Sequence, residues 1–144
     1  PKPEQELEIL NRLEKDVFRN AQSVASIDEV AFLQGLTTRV YIDDAVKKYI
    51  IEIVNATRNP SKYINAKYAE YITLGASTRG AIALMDAAKA IALMRGKNYV
   101  TPEDVKVLVH SVLRHRITLN YAAVADGVTE EEIIDAIVGA IQTP

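Results

Sequence analysis

The chain has 144 residues, enough for one domain with a sizeable core and too few for two ordinary ones. Its composition, 49% apolar and 25% charged, is that of a globular protein, and the absence of cysteine excludes disulfides, thiolate metal sites and cysteine nucleophiles. The net charge of −2 hides an asymmetry, because everything after Arg116 lacks Lys and Arg while carrying Asp126, Glu130, Glu131, Glu132 and Asp135, which argues against a nucleic-acid module.

The opening "PKPEQELEIL" has no basic region followed by an apolar core, and no stretch approaches the roughly 18 uninterrupted apolar residues of a membrane span. A cytoplasmic protein without a membrane span is expected. Because it opens at Pro1 rather than Met, the chain reads as one unit, 1–144, cut from something longer. Leu7, Leu10, Leu13 and Val17 recur at spacings of three and four and predict an amphipathic helix from near Pro3. "SIDE", Ser26 to Glu29, has the form of a capping box and starts a short helix that falters near Gly35.

Asp43 then caps a helix whose Val46, Tyr49, Ile50, Ile53 and Val54 form one apolar stripe. Periodicity is lost over 59–74, where Pro60 and three tyrosines read as a connecting segment with at most an irregular turn. Past Gly80, the helix after Gly75 is polar only at Asp86, Lys89 and Arg95, so it belongs at the centre of a bundle. Gly96 ends it. "TPED" opens the next helix, with Thr101 as cap, Pro102 at the first position and Glu103 and Asp104 in the first turn. Val105, Leu108, Val109, Val112 and Leu113 form its stripe. After an irregular "TLNYAAVADG", a second capping box from Thr129 to Glu132 starts a last helix carrying Ile133, Ile134, Ile137 and Ile141. The pattern predicts an all-α domain, a single bundle of about six helices with no sheet.

"YITLGASTRGAIALMDAAKAIALM", Tyr71 to Met94, invites comparison with a phosphate-binding loop. Gly75 and Gly80 have the P-loop separation, yet Ala81 and Ile82 stand where that motif needs a lysine for the phosphates and a hydroxyl for Mg²⁺. An autonomous ATPase is therefore excluded, and no catalytic residue is assigned within the chain. Arg79 is the exception in this stretch, since a helix start carries partial positive charge and disfavours a cation. It is either an exposed arginine or one that shares an anion, such as a phosphate, with the helix N-terminus.

Other candidates have structural readings. Arg114, His115 and Arg116 lie at a helix end that favours cations, and His110 and His115 have no metal-ligand spacing with Glu103 or Asp104, so neither nucleic acid nor a metal site is expected. Asp43 and Asp44 sit at a helix start, where a cap outranks a catalytic pair. The tyrosines from Tyr63 to Tyr71 suit either half-buried packing or a partner surface.

"GASTRGAIALMDAAKAIALMRGKNYVTPEDVKVLVHSVLRHRI", Gly75 to Ile117, closely resembles the carboxy-terminal lid of the MoxR family of AAA+ ATPases. In that family a G-A-S-P-R-A-like motif opens an Ala-rich helix, followed by a basic-Gly turn, a Y-V-T-P-E-D-V start and an L-x-H-R ending. "PEQELEIL", "YIIEIVNATR" and "DGVTEEEIIDAIVGAIQTP" are also similar to it, so the resemblance covers almost the whole chain. Thr78 departs from the family's usual Pro, and the 59–74 link looks longer than usual. The resemblance implies that 1–144 is a lid domain and Arg79 the sensor 2 arginine, which reaches the γ-phosphate of ATP, bound with Mg²⁺ by a core these residues lack. It implies as partners that core and neighbouring subunits of a homo-oligomeric ring, acting on a client protein. The rival is a free-standing helical adaptor that binds a partner through its tyrosine segment or acidic last helix.

Overall fold

A computed structural model describes residues 2–14 and 22–144 and divides the chain after Ala31 into two compact units. The first contains α1 (Pro3–Glu14), where the Lys2 carbonyl accepts the N–H groups of Gln5 and Glu6 and Arg12 pairs with Glu8 one turn away. Leu7, Leu10 and Leu13 are exposed, and Val17 lies outside the described residues. Helix α2 (Ile27–Thr37) starts where the sequence predicts: Ser26 N–H donates to Glu29 Oε2 at 2.7 Å and Glu29 N–H to Ser26 Oγ at 3.2 Å. It passes Gly35 and ends at Thr37, where the hydroxyls of Thr37 and Thr38 donate to the Gln34 and Gly35 carbonyls. One helical glycine costs about 1 kcal/mol, too little to break the helix.

The second unit is built on α3 (Asp44–Arg58) and α5 (Thr78–Met94), which pack together. Asp43 caps α3 by accepting the Ala45 N–H at 2.8 Å, and Val46, Tyr49, Ile50, Ile53 and Val54 are all buried, so the predicted stripe is the core face. Helix α5 also packs against α6 (Pro102–Lys106) and α7 (Val109–Leu113), burying Leu84, Ala88 and Ala92 completely. Its alanines allow close approach, but Ile82 and Met94 remain exposed, so its circumference is not wholly enclosed. Gly96 takes φ +71° after α5 while Lys97 N–H donates to the Ala92 carbonyl, the left-handed stop expected there. Helix α9 (Glu130–Ala140), capped reciprocally by Thr129 and Glu132, closes the core against α3 and α7.

Three expectations are corrected. The 59–74 segment is not merely connecting: it holds a 3₁₀ turn (Pro60–Lys62), α4 (Ala66–Tyr71) and β1 (Ile72–Leu74). Asn65 starts α4 by accepting the Tyr68 N–H at 2.9 Å, and Tyr71 and Ala69 are buried against the bundle. "TLNYAAVADG" likewise contains β2 (Thr118–Leu119) and α8 (Tyr121–Ala125); β1 and β2 pair antiparallel, Ile72 with Leu119 and Leu74 with Thr118, across a register irregularity. The single helix predicted from Pro102 to Leu113 is α6 and α7, separated at Val107 and Leu108, with Leu108 only half-buried. The described residues thus form nine α-helices and a two-stranded ribbon rather than six helices and no sheet, and the all-α class stands.

Candidate anion-facing site at the start of α5

Gly75, Ala76 and Ser77 lead into α5. A side chain at Gly75 would place its Cβ 2.3 Å from the Thr57 carbonyl oxygen, so the loop lies against the end of α3 at a distance only glycine permits. Thr57, 1% exposed, completes the joint: its hydroxyl donates to the Val54 carbonyl at 2.7 Å and accepts the Ala76 N–H at 2.9 Å. A buried hydroxyl with donor and acceptor roles both filled is a low-cost polar group in a core.

From this joint α5 begins without the electrostatic complement that the other long helices have. Ser77 makes no side-chain cap hydrogen bond, and no acidic residue lies in the first turn. Helices α1, α2, α3 and α9 all carry Asp or Glu there. Arg79 instead projects from that turn, exposed, with no hydrogen bond or ion pair among the described residues. Arg12, Arg95 and Arg114 each face a carboxylate, of Glu8, Asp104 and Glu131 respectively. Unpaired N–H groups and a guanidinium on one turn suit a phosphate, which accepts from both.

The neighbouring surfaces are defined. Gly80 is buried, and a Cβ there would meet Ala76 Cβ at 3.3 Å, Leu113 Cδ2 at 3.4 Å and Arg116 Cδ at 3.5 Å, so α7 and the arginine after it brace the first turn. Arg116 donates to the Val112 carbonyl and Arg114 lies 3.4 Å from Glu131, which accounts for both cations structurally. His110 contacts Asp135 at 2.8 Å. Between α3 and α5, Lys47, Ile50, Ile51, Thr78, Ile82 and Met85 line a shallow apolar groove. Among the described residues no group of three or more His, Asp or Glu side chains could hold a metal ion.

The far end of α5 holds a cluster that sequence reasoning placed only as a helix cap. Asp104 is completely buried, with Arg95 Nη1 at 2.7 Å, Lys97 Nζ at 2.5 Å, and the Thr101 N–H and hydroxyl at 3.0 and 2.9 Å. Burial alone raises its pKa, but hydrogen bonds from Lys97, Thr101 and Arg95 outweigh that and hold it at about 2. The signal was present in the basic residues flanking Gly96. Tyr71 is buried, and Tyr63 and Tyr68 pack partly buried against the core; the Tyr71 hydroxyl donates to Asp126, Lys67 meets Asp126 at 3.0 Å, and Asn55 donates to the Tyr63 hydroxyl at 3.3 Å.

Residues 65–137, just over half of the chain, match the AAA lid domain family model. The whole chain is 32% identical to Chaperone MoxR1 of Mycobacterium tuberculosis, covering 38% of that protein, and 36% identical to the uncharacterized protein YeaC of Bacillus subtilis, covering 42% of it. Protein MoxR of Paracoccus denitrificans is 33% identical over 92 residues, 61% of this chain and 27% of its own. A solved structure of a Cytophaga hutchinsonii protein assigned as an ATPase superposes with a TM-score of 0.82 at 38% identity, over 99% of this chain and 44% of its own. The chain therefore spans less than half the length of each of these relatives.

Proposed function

The chain belongs to the AAA lid domain family, among its MoxR members, and from that premise we propose that Arg79 is a sensor 2 arginine. Its guanidinium reaches the γ-phosphate of ATP, held with Mg²⁺ by an ATPase core outside these residues. The observation that carries this reading is the pairing of an exposed, unpartnered Arg79 with an uncapped helix start that lacks any carboxylate. A cation there is mildly unfavourable by itself, and an anion reverses the sign.

In this reading the residues do three things. Arg79 offers parallel N–H donors to phosphate oxygens and offsets charge that develops on the transferred group. Thr78 and Arg79 ride on a helix packed against α3, α6 and α7, so displacement of the arginine moves the bundle with it. Residues 1–144 act as a lid on their own core and on a neighbouring subunit of a homo-oligomeric ring, coupling nucleotide state to remodelling of a client protein in the cytoplasm. The chain alone turns over no ATP, because Ala81 and Ile82 replace the P-loop lysine and hydroxyl.

The test is a structure of the full-length protein with Mg²⁺ and a non-hydrolysable ATP analogue. Arg79 Nη is expected about 3 Å from a γ-phosphate oxygen. An Arg79 that instead pairs with a carboxylate of the core overturns the assignment.

A further inference from the structure

The joint between α3 and α5 does more than pack. Thr57 and Ala76 are 19 positions apart in sequence, yet the buried Thr57 hydroxyl binds the Ala76 N–H at 2.9 Å, three residues before Arg79. The same hydroxyl is oriented by its own bond to the Val54 carbonyl, 2.7 Å away, so it has one rotamer in which both bonds form. At Gly75 the two backbones touch, with no room for even a methyl group. The loop is thereby fixed at two consecutive residues, and α5 leaves it within one more. Ser77 makes no side-chain cap, so the loop that leads into the first turn is anchored from α3, while α7 and Arg116 brace the turn further on, at Gly80.

We propose that Thr57 is a positioning residue for Arg79: the Thr57 hydroxyl and the close approach at Gly75 clasp the start of α5 to the end of α3 and so aim the guanidinium. The inference rests on the sensor 2 reading of Arg79. A misplacement of about 1 Å at a group that stabilises transferred charge is costly in rate, while the ground-state complex, held mainly by the core, tolerates it. Loss of the clasp therefore lowers kcat and leaves KM for ATP nearly unchanged. Thr57 itself touches no nucleotide, because it is buried.

The experiment is a set of variants of the full-length protein assayed for ATP turnover well below their unfolding temperatures. Thr57→Val keeps the shape and removes the hydroxyl; Thr57→Ser keeps the hydroxyl. Thr57→Val is expected to lower kcat roughly 5- to 30-fold, equivalent to about 1–2 kcal/mol of lost transition-state stabilisation, and Thr57→Ser to restore it. In an Arg79→Ala background Thr57→Val should have no further effect, since there is no guanidinium left to aim. If Thr57→Val does not fold, Thr57→Ala, which lets water reach the Ala76 N–H, is compared with Thr57→Ser in the same way. An Arg79-dependent enzyme in which the hydroxyl-free variants keep full kcat, or in which their losses multiply with that of Arg79→Ala, refutes the positioning role. Turnover that is indifferent to Arg79→Ala refutes the sensor reading instead.

Discussion

The carboxylate of Asp104, wholly enclosed at the start of α6, lies 2.7 Å from the Arg95 guanidinium at the end of α5. Lys97 reaches its other oxygen at 2.5 Å, so one buried anion ties two cations and the Thr101 cap into a single knot. Its folded pKa of about 2 lies below the ordinary carboxylate value of 3.8. A depressed carboxylate pKa contributes stability that is complete above the unfolded value and lost as pH falls through the folded one. Roughly 1–2 kcal/mol should therefore disappear between about pH 4 and pH 2, a figure reduced for solvent around the half-exposed Arg95. Asp104→Asn should flatten that part of the pH–stability curve of this chain and lower the unfolding temperature at pH 7. An unchanged acid limb in equilibrium denaturation would show that the knot is not formed.

Glycine substitutions separate the close approach at Gly75 from glycines that merely occupy helices. Gly75→Ala forces Cβ to 2.3 Å from the Thr57 carbonyl and should cost roughly 3 kcal/mol or more, because neither backbone can yield without opening the joint. At Gly139, inside α9, an added Cβ would have nothing within 4 Å, and Gly139→Ala should stabilise by roughly 0.5–1 kcal/mol. Denaturant titration of the two variants checks the pair. Equal effects at both positions would count against the α3–α5 contact.

How much of this was readable from the residues depended on length and range. Helices α3 and α9 carry complete apolar stripes and side-chain caps, Asp43 and Thr129, and both were legible. Helices α4 and α8 are six and five residues long, too short to express a period. They are held by contacts from afar: the Asn120 side chain donates to the Glu70 carbonyl, 50 positions away, at 2.7 Å, and its backbone N–H to the Tyr71 carbonyl at 2.8 Å. Nothing in "KVLVH" marks the break between α6 and α7, because neither Gly nor Pro is present there.

The site divided along the same line. Arg79 stood out because it contradicts the local electrostatics of a helix start, a property of adjacent residues. The Thr57 clasp could not be seen, since it joins the end of one helix to the start of another across the whole tyrosine segment. Asp104 was legible as a cap but not as a buried anion, because its partners Arg95 and Lys97 come round the turn at Gly96.

The central claim is that Arg79 serves a phosphate rather than the fold, and Arg79→Ala in the full-length protein tests it most directly when turnover and stability are measured together. Loss of a charge-assisted hydrogen bond to phosphate should lower the ATP hydrolysis rate roughly 10- to 100-fold. The unfolding temperature should stay the same or rise, since removing a cation from a helix N-terminus relieves up to about 1 kcal/mol. Unchanged hydrolysis with lowered stability would contradict the account and make Arg79 a structural residue.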